Sequence, residues 1–85
     1  MVIHNRLGLH ARPAMAFASA ASGFACGVKV RRGDNHELVD GKSVMQMLML
    51  ACTHGTEIEI QTDGHDEVQA MDTLAQMVHN RFEEE

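Results

Sequence analysis

The sequence predicts an α+β fold: a two-layer open-faced sandwich, with a four-stranded antiparallel sheet carrying three helices on one face, in the order β-α-β-β-α-β-α. Three observations predict it. Segments 11–22 and 66–82 repeat apolar residues at helical period, whereas 25–32 and 56–62 alternate apolar with polar residues as half-buried strands do. Four strands that are polar on one face, set beside amphipathic helices, make two layers. Finally, 85 residues are enough for one layer-on-layer core and not two, so residues 1–85 read as one domain without repeats or linkers.

The elements follow in order. Val2 to Asn5 reads as a short first strand, cut off by the chain start. Residues 11–22 form the first helix: Pro13 suits its opening turn, Ala14, Phe17, Ala18 and Ala21 mark its inward face, and Ser22-Gly23 ends it. Ala25 to Arg32 is a strand with Cys26, Val28 and Val30 on its apolar face. Gly33-Asp34-Asn35 turns the chain, and His36 to Val39 returns antiparallel. Asp40-Gly41 breaks that strand. Ser43 opens a second, short helix to about Ala51, and Ser43-Val44-Met45-Gln46 fits the S-x-x-Q capping box. Thr56 to Thr62 is the last strand, with Ile58 and Ile60 inward. After Asp63-Gly64, Asp66 is read as an N-cap with Gln69 three residues on. A long helix then runs to about Phe82, with Val68, Met71, Leu74, Ala75, Val78 and Phe82 on its core face.

Composition narrows the function. Hydrophobic residues make up 45% of the chain with three Phe and no Trp or Tyr, so the core is aliphatic. No run approaches the roughly 20 apolar residues that span a bilayer, which argues against membrane insertion. Met1-Val2-Ile3-His4 does not read as a signal peptide, and a cytoplasmic location follows as the expectation. Cys26 and Cys52 are expected to be buried and reduced. The six histidines stand at 4, 10, 36, 54, 65 and 79, with no i,i+4 pair. Cys52-x-His54 is the nearest thing to a ligand pair and has no second pair to complete it, so neither metal nor other cofactor is expected. The net charge of −5 is uneven: residues 1–42 hold all the basic side chains but Arg81, and the later half holds most of the acids. Such an acidic chain without stacking aromatics is no nucleic-acid binder. Its basic half would instead steer acidic protein partners.

The most informative run is Gly8-Leu9-His10-Ala11-Arg12-Pro13-Ala14. Pro13 and the alanines behind it place His10 at a helix N-terminus, where orphan N–H groups and the macrodipole favour negative charge. Arg12 adds a planar fork of donors matched to phosphate. An imidazole nucleophile beside an anion site is what a phosphohistidine needs. The second helix is apolar on both faces: Met47 and Leu50 are assigned to the core, which leaves Val44, Met45 and Leu48 as an exposed patch with Met15. A methionine-rich patch suits a carrier that docks unlike partners.

These features together resemble the HPr family, the histidine-containing phosphocarriers of the bacterial sugar phosphotransferase system. The heptapeptide matches the family signature G-[LI]-H-x-R-P-A. Gly41-Lys42-Ser43-Val44-Met45 resembles the K-S-[IVL]-[MF] segment, and Gly55-Thr56, Asp63-Gly64 and Asp66-Glu67 agree in spacing. The short first strand and the charged stretch from Arg32 to Val39 depart from the pattern. The resemblance implies that His10 accepts a phosphoryl group on Nδ1 from phospho-enzyme I, itself charged by phosphoenolpyruvate. It implies that His10 then passes the group to a histidine of an EIIA component while Arg12 neutralises the phosphoryl oxygens. It further implies regulatory phosphorylation of Ser43 by an HPr kinase/phosphorylase, although Ser43 is equally explained as a helix cap. The two apolar helix faces become the docking surface. Such a protein is a monomeric carrier and not a self-sufficient enzyme. The alternative is a regulatory member of a nitrogen-type or incomplete phosphotransferase system that controls other proteins. A third reading, a structural or ligand-binding domain with an inert histidine, is opposed by the His10–Arg12 pairing.

Overall fold

Pro13 is buried in the first turn of α1 (Ala11–Ser22), where its missing N–H leaves no gap in the helix ladder. The predicted inward face of this helix, Ala14, Phe17, Ala18 and Ala21, is buried throughout. A computed structural model describes residues 1–83. The sequence of the acidic end, Glu83-Glu84-Glu85, suggests solvated charge, and Glu84 and Glu85 lie outside the described residues. After α1 come β1 (Gly27–Arg32), β2 (Val39–Asp40), α2 (Val44–Met49), β3 (Ile58–Asp63) and α3 (Glu67–His79). A single left-handed turn, Arg81–Glu83, closes the described chain.

The three strands form an antiparallel sheet in the order β2-β1-β3, with Val30 facing both Val39 and Ile60. Val28, Val30, Ile58 and Ile60 point into the core, while Lys29, Glu59 and Gln61 stand on the solvated face. Helix α1 packs against both α2 and α3, and α3 lies against β3. Phe17, Met47, Leu74 and Val78 fill the space between layers, each 0–1% exposed. Burying such side chains contributes roughly 2 kcal/mol each, which makes this layer contact the main stabiliser of the fold.

The α+β class therefore holds, and the fourth strand does not. The first segment keeps one bridge, Val2 to Glu57. Main-chain bonds flank it, from Ile3 N–H to Thr56 O (2.9 Å) and from Ile58 N–H to Met1 O (2.8 Å). Pairing stops there because the chain turns: Asn5 Nδ2 donates to the Gly8 carbonyl and Gly8 N–H donates back to Asn5 O. Other limits shift for equally local reasons. Ala25 and Cys26 leave the strand because both amides donate to the Asp66 carboxylate, at 2.8 and 2.9 Å. Asp66 thus serves the neighbouring strand and makes no side-chain cap to α3. The returning strand shrinks to Val39–Asp40. Its turn is held by arginines, with Arg32 on both carboxylate oxygens of Asp34 (3.1 and 3.0 Å) and Arg31 Nη1 on Asn35 O (3.1 Å). Helix α2 ends at Met49 because Ala51 turns left-handed at φ +52°. Helix α3 ends at His79, before the left-handed turn that sets Phe82 against the core. Its buried line is Ala70, Leu74 and Val78, with Met71 packed beside it, but Val68, assigned to the core face, is 78% exposed in the first turn. Both cysteines are buried free thiols, as expected. Among the described residues, no helix is long and apolar enough to cross a membrane.

Candidate functional site

His10 is the N-cap residue of α1, extended at φ −80° and ψ −171°, and half-buried. Its carbonyl accepts the Ala14 amide (3.0 Å), and its ring makes no capping bond to the helix. Helix geometry leaves the amides of the first turn without carbonyl partners in the helix, and Pro13 has none to offer. No acidic residue lies in that turn, and Arg12 stands exposed within it. The positive end of the helix dipole and a basic residue thus fall within the same turn, directly after His10.

The approach to His10 is held from behind. Leu9, 4% exposed, donates its amide to the carbonyl of Cys52 (2.9 Å). Gly8, at φ +70°, lies so close to the Cys52–Thr53 backbone that a Cβ would overlap it. The segment it leans on is braced in turn: Thr56 Oγ1 accepts the Thr53 amide (3.0 Å), and Thr53 O accepts the Thr56 amide (3.1 Å). Burial pushes the Cys52 thiol up from its ordinary value, so this sulfur stays protonated and is no rival nucleophile.

Ser43 caps α2. Its Oγ accepts the Gln46 amide (3.2 Å) and its carbonyl accepts the Met47 amide (3.0 Å). Only half of the predicted capping box forms, because the Gln46 side chain turns away to accept the Asp40 amide (2.8 Å). Gly41 lets this helix start close to α1: a Cβ there would overlap Val28 and press on Phe17. Lys42 fastens the same corner by donating to Phe24 O (2.8 Å).

The predicted apolar patch forms in part. Met15 and Met45 are 54% and 72% exposed, Leu48 is 37% exposed, and Met47 and Leu50 are buried as assigned. Val44 is half-buried and packs on the core, so it backs the patch more than it extends it. The sequence reading missed Met49, 74% exposed. Its position four residues after Met45 puts the two on one helix face, and that spacing could have found it. Leu7, exposed in the turn before His10, was also missed and carries no periodic signal. Among the described residues, no group of three or more His, Cys, Asp or Glu side chains is placed to hold a metal ion.

Residues 1–80 match the family model described as the PTS HPr component phosphorylation site. The chain is 44% identical over 84 residues to phosphocarrier protein HPr of Pseudomonas putida, covering 99% of this chain and 92% of that one. It is 39% identical over 87 residues to phosphocarrier protein NPr of Proteus mirabilis, covering 100% and 93%. Among solved structures, HPr of Thermoanaerobacter tengcongensis superposes with a TM-score of 0.93 at 33% identity, over 100% of this chain and 93% of that one. The catabolite repression protein Crh of Bacillus subtilis, solved as a domain-swapped dimer, superposes at 0.78 with 34% identity, over 89% and 85%. With a family model matching residues 1–80 and a relative 44% identical over nearly the whole of both chains, the chain belongs to the HPr family of phosphocarrier proteins of the phosphotransferase system, which are not enzymes on their own.

Proposed function

We propose that His10 is the phosphoryl acceptor and donor of this carrier. The observation that carries the reading is its place at the N-cap of α1, with an arginine and no acid in the turn that follows. Phosphorylation replaces the Nδ1 lone pair with an N–P bond as the donor's phosphohistidine N–P bond breaks. The group that arrives carries about two negative charges. Helix amides and the Arg12 guanidinium offset that charge, so the phosphoryl group is held while still being transferable. Positioning and charge do most of what phosphoryl transfer asks of a protein, and a carrier needs no base of its own. Phospho-enzyme I is the proposed donor and an EIIA histidine the acceptor, each docking over Met15, Met45 and Leu48, with Val44 behind them. The chain is proposed to act as a monomer in the cytoplasm.

Ser43 is proposed as a second, regulatory phosphorylation site for an HPr kinase/phosphorylase. Its hydroxyl lies at a helix start, where added charge is tolerated by the fold, and beside the docking patch, where the same charge would repel an acidic partner. A second reading keeps the His10 chemistry and changes its customer: a nitrogen-type or incomplete system regulating other proteins. The likeness to a relative named NPr favours it.

Incubation with phosphoenolpyruvate and enzyme I tests the central assignment. The expected product carries an acid-labile, base-stable phosphate that His10→Ala abolishes. Phosphate retained in that variant would place the acceptor elsewhere.

A further inference from the structure

The chain holds seven methionines and two cysteines, and their sulfurs are not equally accessible. Cys26 and Cys52 are 2% and 4% exposed, and burial pushes both thiols up toward the unreactive protonated form. Met47 is fully buried, while Met71 and Met77 pack against the core. Met45, Met49 and Met15 are 72%, 74% and 54% exposed, two on α2 and one on α1, helices that pack on each other, and His10 caps α1. Met1, 43% exposed, is the other accessible methionine and lies at β3, with its amino group on Ile58 O. Apart from Met1, the accessible sulfur thus lies on the two helices that carry the proposed docking patch, with Met49 on the Met45 face.

We propose that Met45, Met49 and Met15 form a reversible oxidation site through which a hypohalous acid weakens partner docking without unfolding the carrier. The step balances. The thioether sulfur gives up two electrons and takes the oxygen of HOCl, chlorine is reduced to chloride, and the proton is released to solvent. The product is a sulfoxide, polar and chiral where an apolar, adaptable side chain stood. A buried apolar contact with a partner cannot satisfy that S–O dipole, so the complex weakens while the isolated fold, which leaves more than half of each of these residues in water, does not. A thiol-dependent methionine sulfoxide reductase restores the thioether. The effect on docking rests on the carrier reading above; the order of oxidation does not.

The test titrates the full chain with hypochlorous acid at neutral pH, maps oxygen incorporation by peptide mass spectrometry, and measures the KM for phospho-enzyme I. Met45, Met49 and Met15 are expected to gain oxygen before Met47 and both cysteines. KM should rise about tenfold, as for loss of interface anchors, with the melting temperature nearly unchanged, and reductase should reverse the rise. The variant M15L/M45L/M49L, compared with itself before and after treatment, should hold its KM. Three results would overturn the proposal: oxidation of Met47 at the same dose as Met45, an unchanged KM in fully sulfoxidised protein, or an equal KM rise in the leucine variant. Failure of the untreated protein to accept phosphate would instead sink the carrier reading, and the peptide map would still decide the site.

Discussion

Gly8 lies against the carbonyl oxygen of Cys52 at φ +70°, leaving no room for a side chain between them. The same carbonyl accepts the Leu9 amide, so two successive residues register the approach to His10 on one fixed point. Gly8→Ala adds a left-handed penalty of about 1–2 kcal/mol to a steric overlap of similar size. We expect a loss of about 3 kcal/mol in denaturant unfolding, together with slowed phosphorylation of His10. A variant that is destabilised yet transfers at the wild-type rate would show that this contact supports the fold and not the site.

Asp66 gives a pH dependence with a definite sign. Its carboxylate accepts the Ala25 amide first and Cys26 second, and these bonds hold its pKa below the usual carboxylate value. A depressed folded-state pKa means stability that is fully present above about 3.9, the unfolded value, and is lost as pH falls through the lower folded one. Melting curves of wild type and Asp66→Ala should therefore differ at pH 7 and converge as the pH falls below the depressed folded-state value. A gap that persists in acid would assign the effect to packing instead.

How legible each part was depended on where its partners lie. The limits of α1 were readable because Pro13 and Ser22-Gly23 act on their own neighbours, and the His10–Arg12 site followed from those limits. Asp66 holds the N-cap position read from the sequence, but its carboxylate bonds Ala25 and Cys26, forty residues back in the chain, and not the helix it opens. The shortened hairpin has the same origin: Arg31 and Arg32 hold the turn by side-chain bonds that alternation of residue types does not encode. Val68 kept helical period and yet is 78% exposed, because period marks a face of the helix and not how far along it the core extends.

Ser43 carries two proposed roles that substitutions separate. Alanine removes the acceptor for the Gln46 amide and should cost about 1 kcal/mol. Aspartate keeps a good cap and adds charge, so Ser43→Asp should melt close to wild type while His10 phosphorylation slows. Stopped transfer assays with enzyme I decide it: equal rates for Ser43→Asp and wild type would leave the serine as a cap alone.

Ala51 occupies the left-handed position after α2 at φ +52°, a conformation for which glycine pays no Cβ penalty. Ala51→Gly should raise stability by about 1 kcal/mol, less the entropy glycine adds to the unfolded chain. Thermal and urea unfolding read the gain directly. A loss would mean that the alanine methyl contributes more than the strain costs.

Arg12 is the sharpest test of the electrostatic account of His10. It is exposed and makes no ion pair among the described residues, so its removal should leave the melting temperature nearly unchanged. A charge-assisted bond to a phosphoryl oxygen contributes about 1.5–3 kcal/mol. Arg12→Ala should accordingly lower kcat/KM for phosphoryl acceptance by about tenfold to a hundredfold. Lysine keeps the charge but loses the planar fork, and should recover only part of that rate. Full activity in Arg12→Ala would mean that the helix amides alone carry the phosphoryl charge, and full recovery with lysine would mean that charge matters and geometry does not.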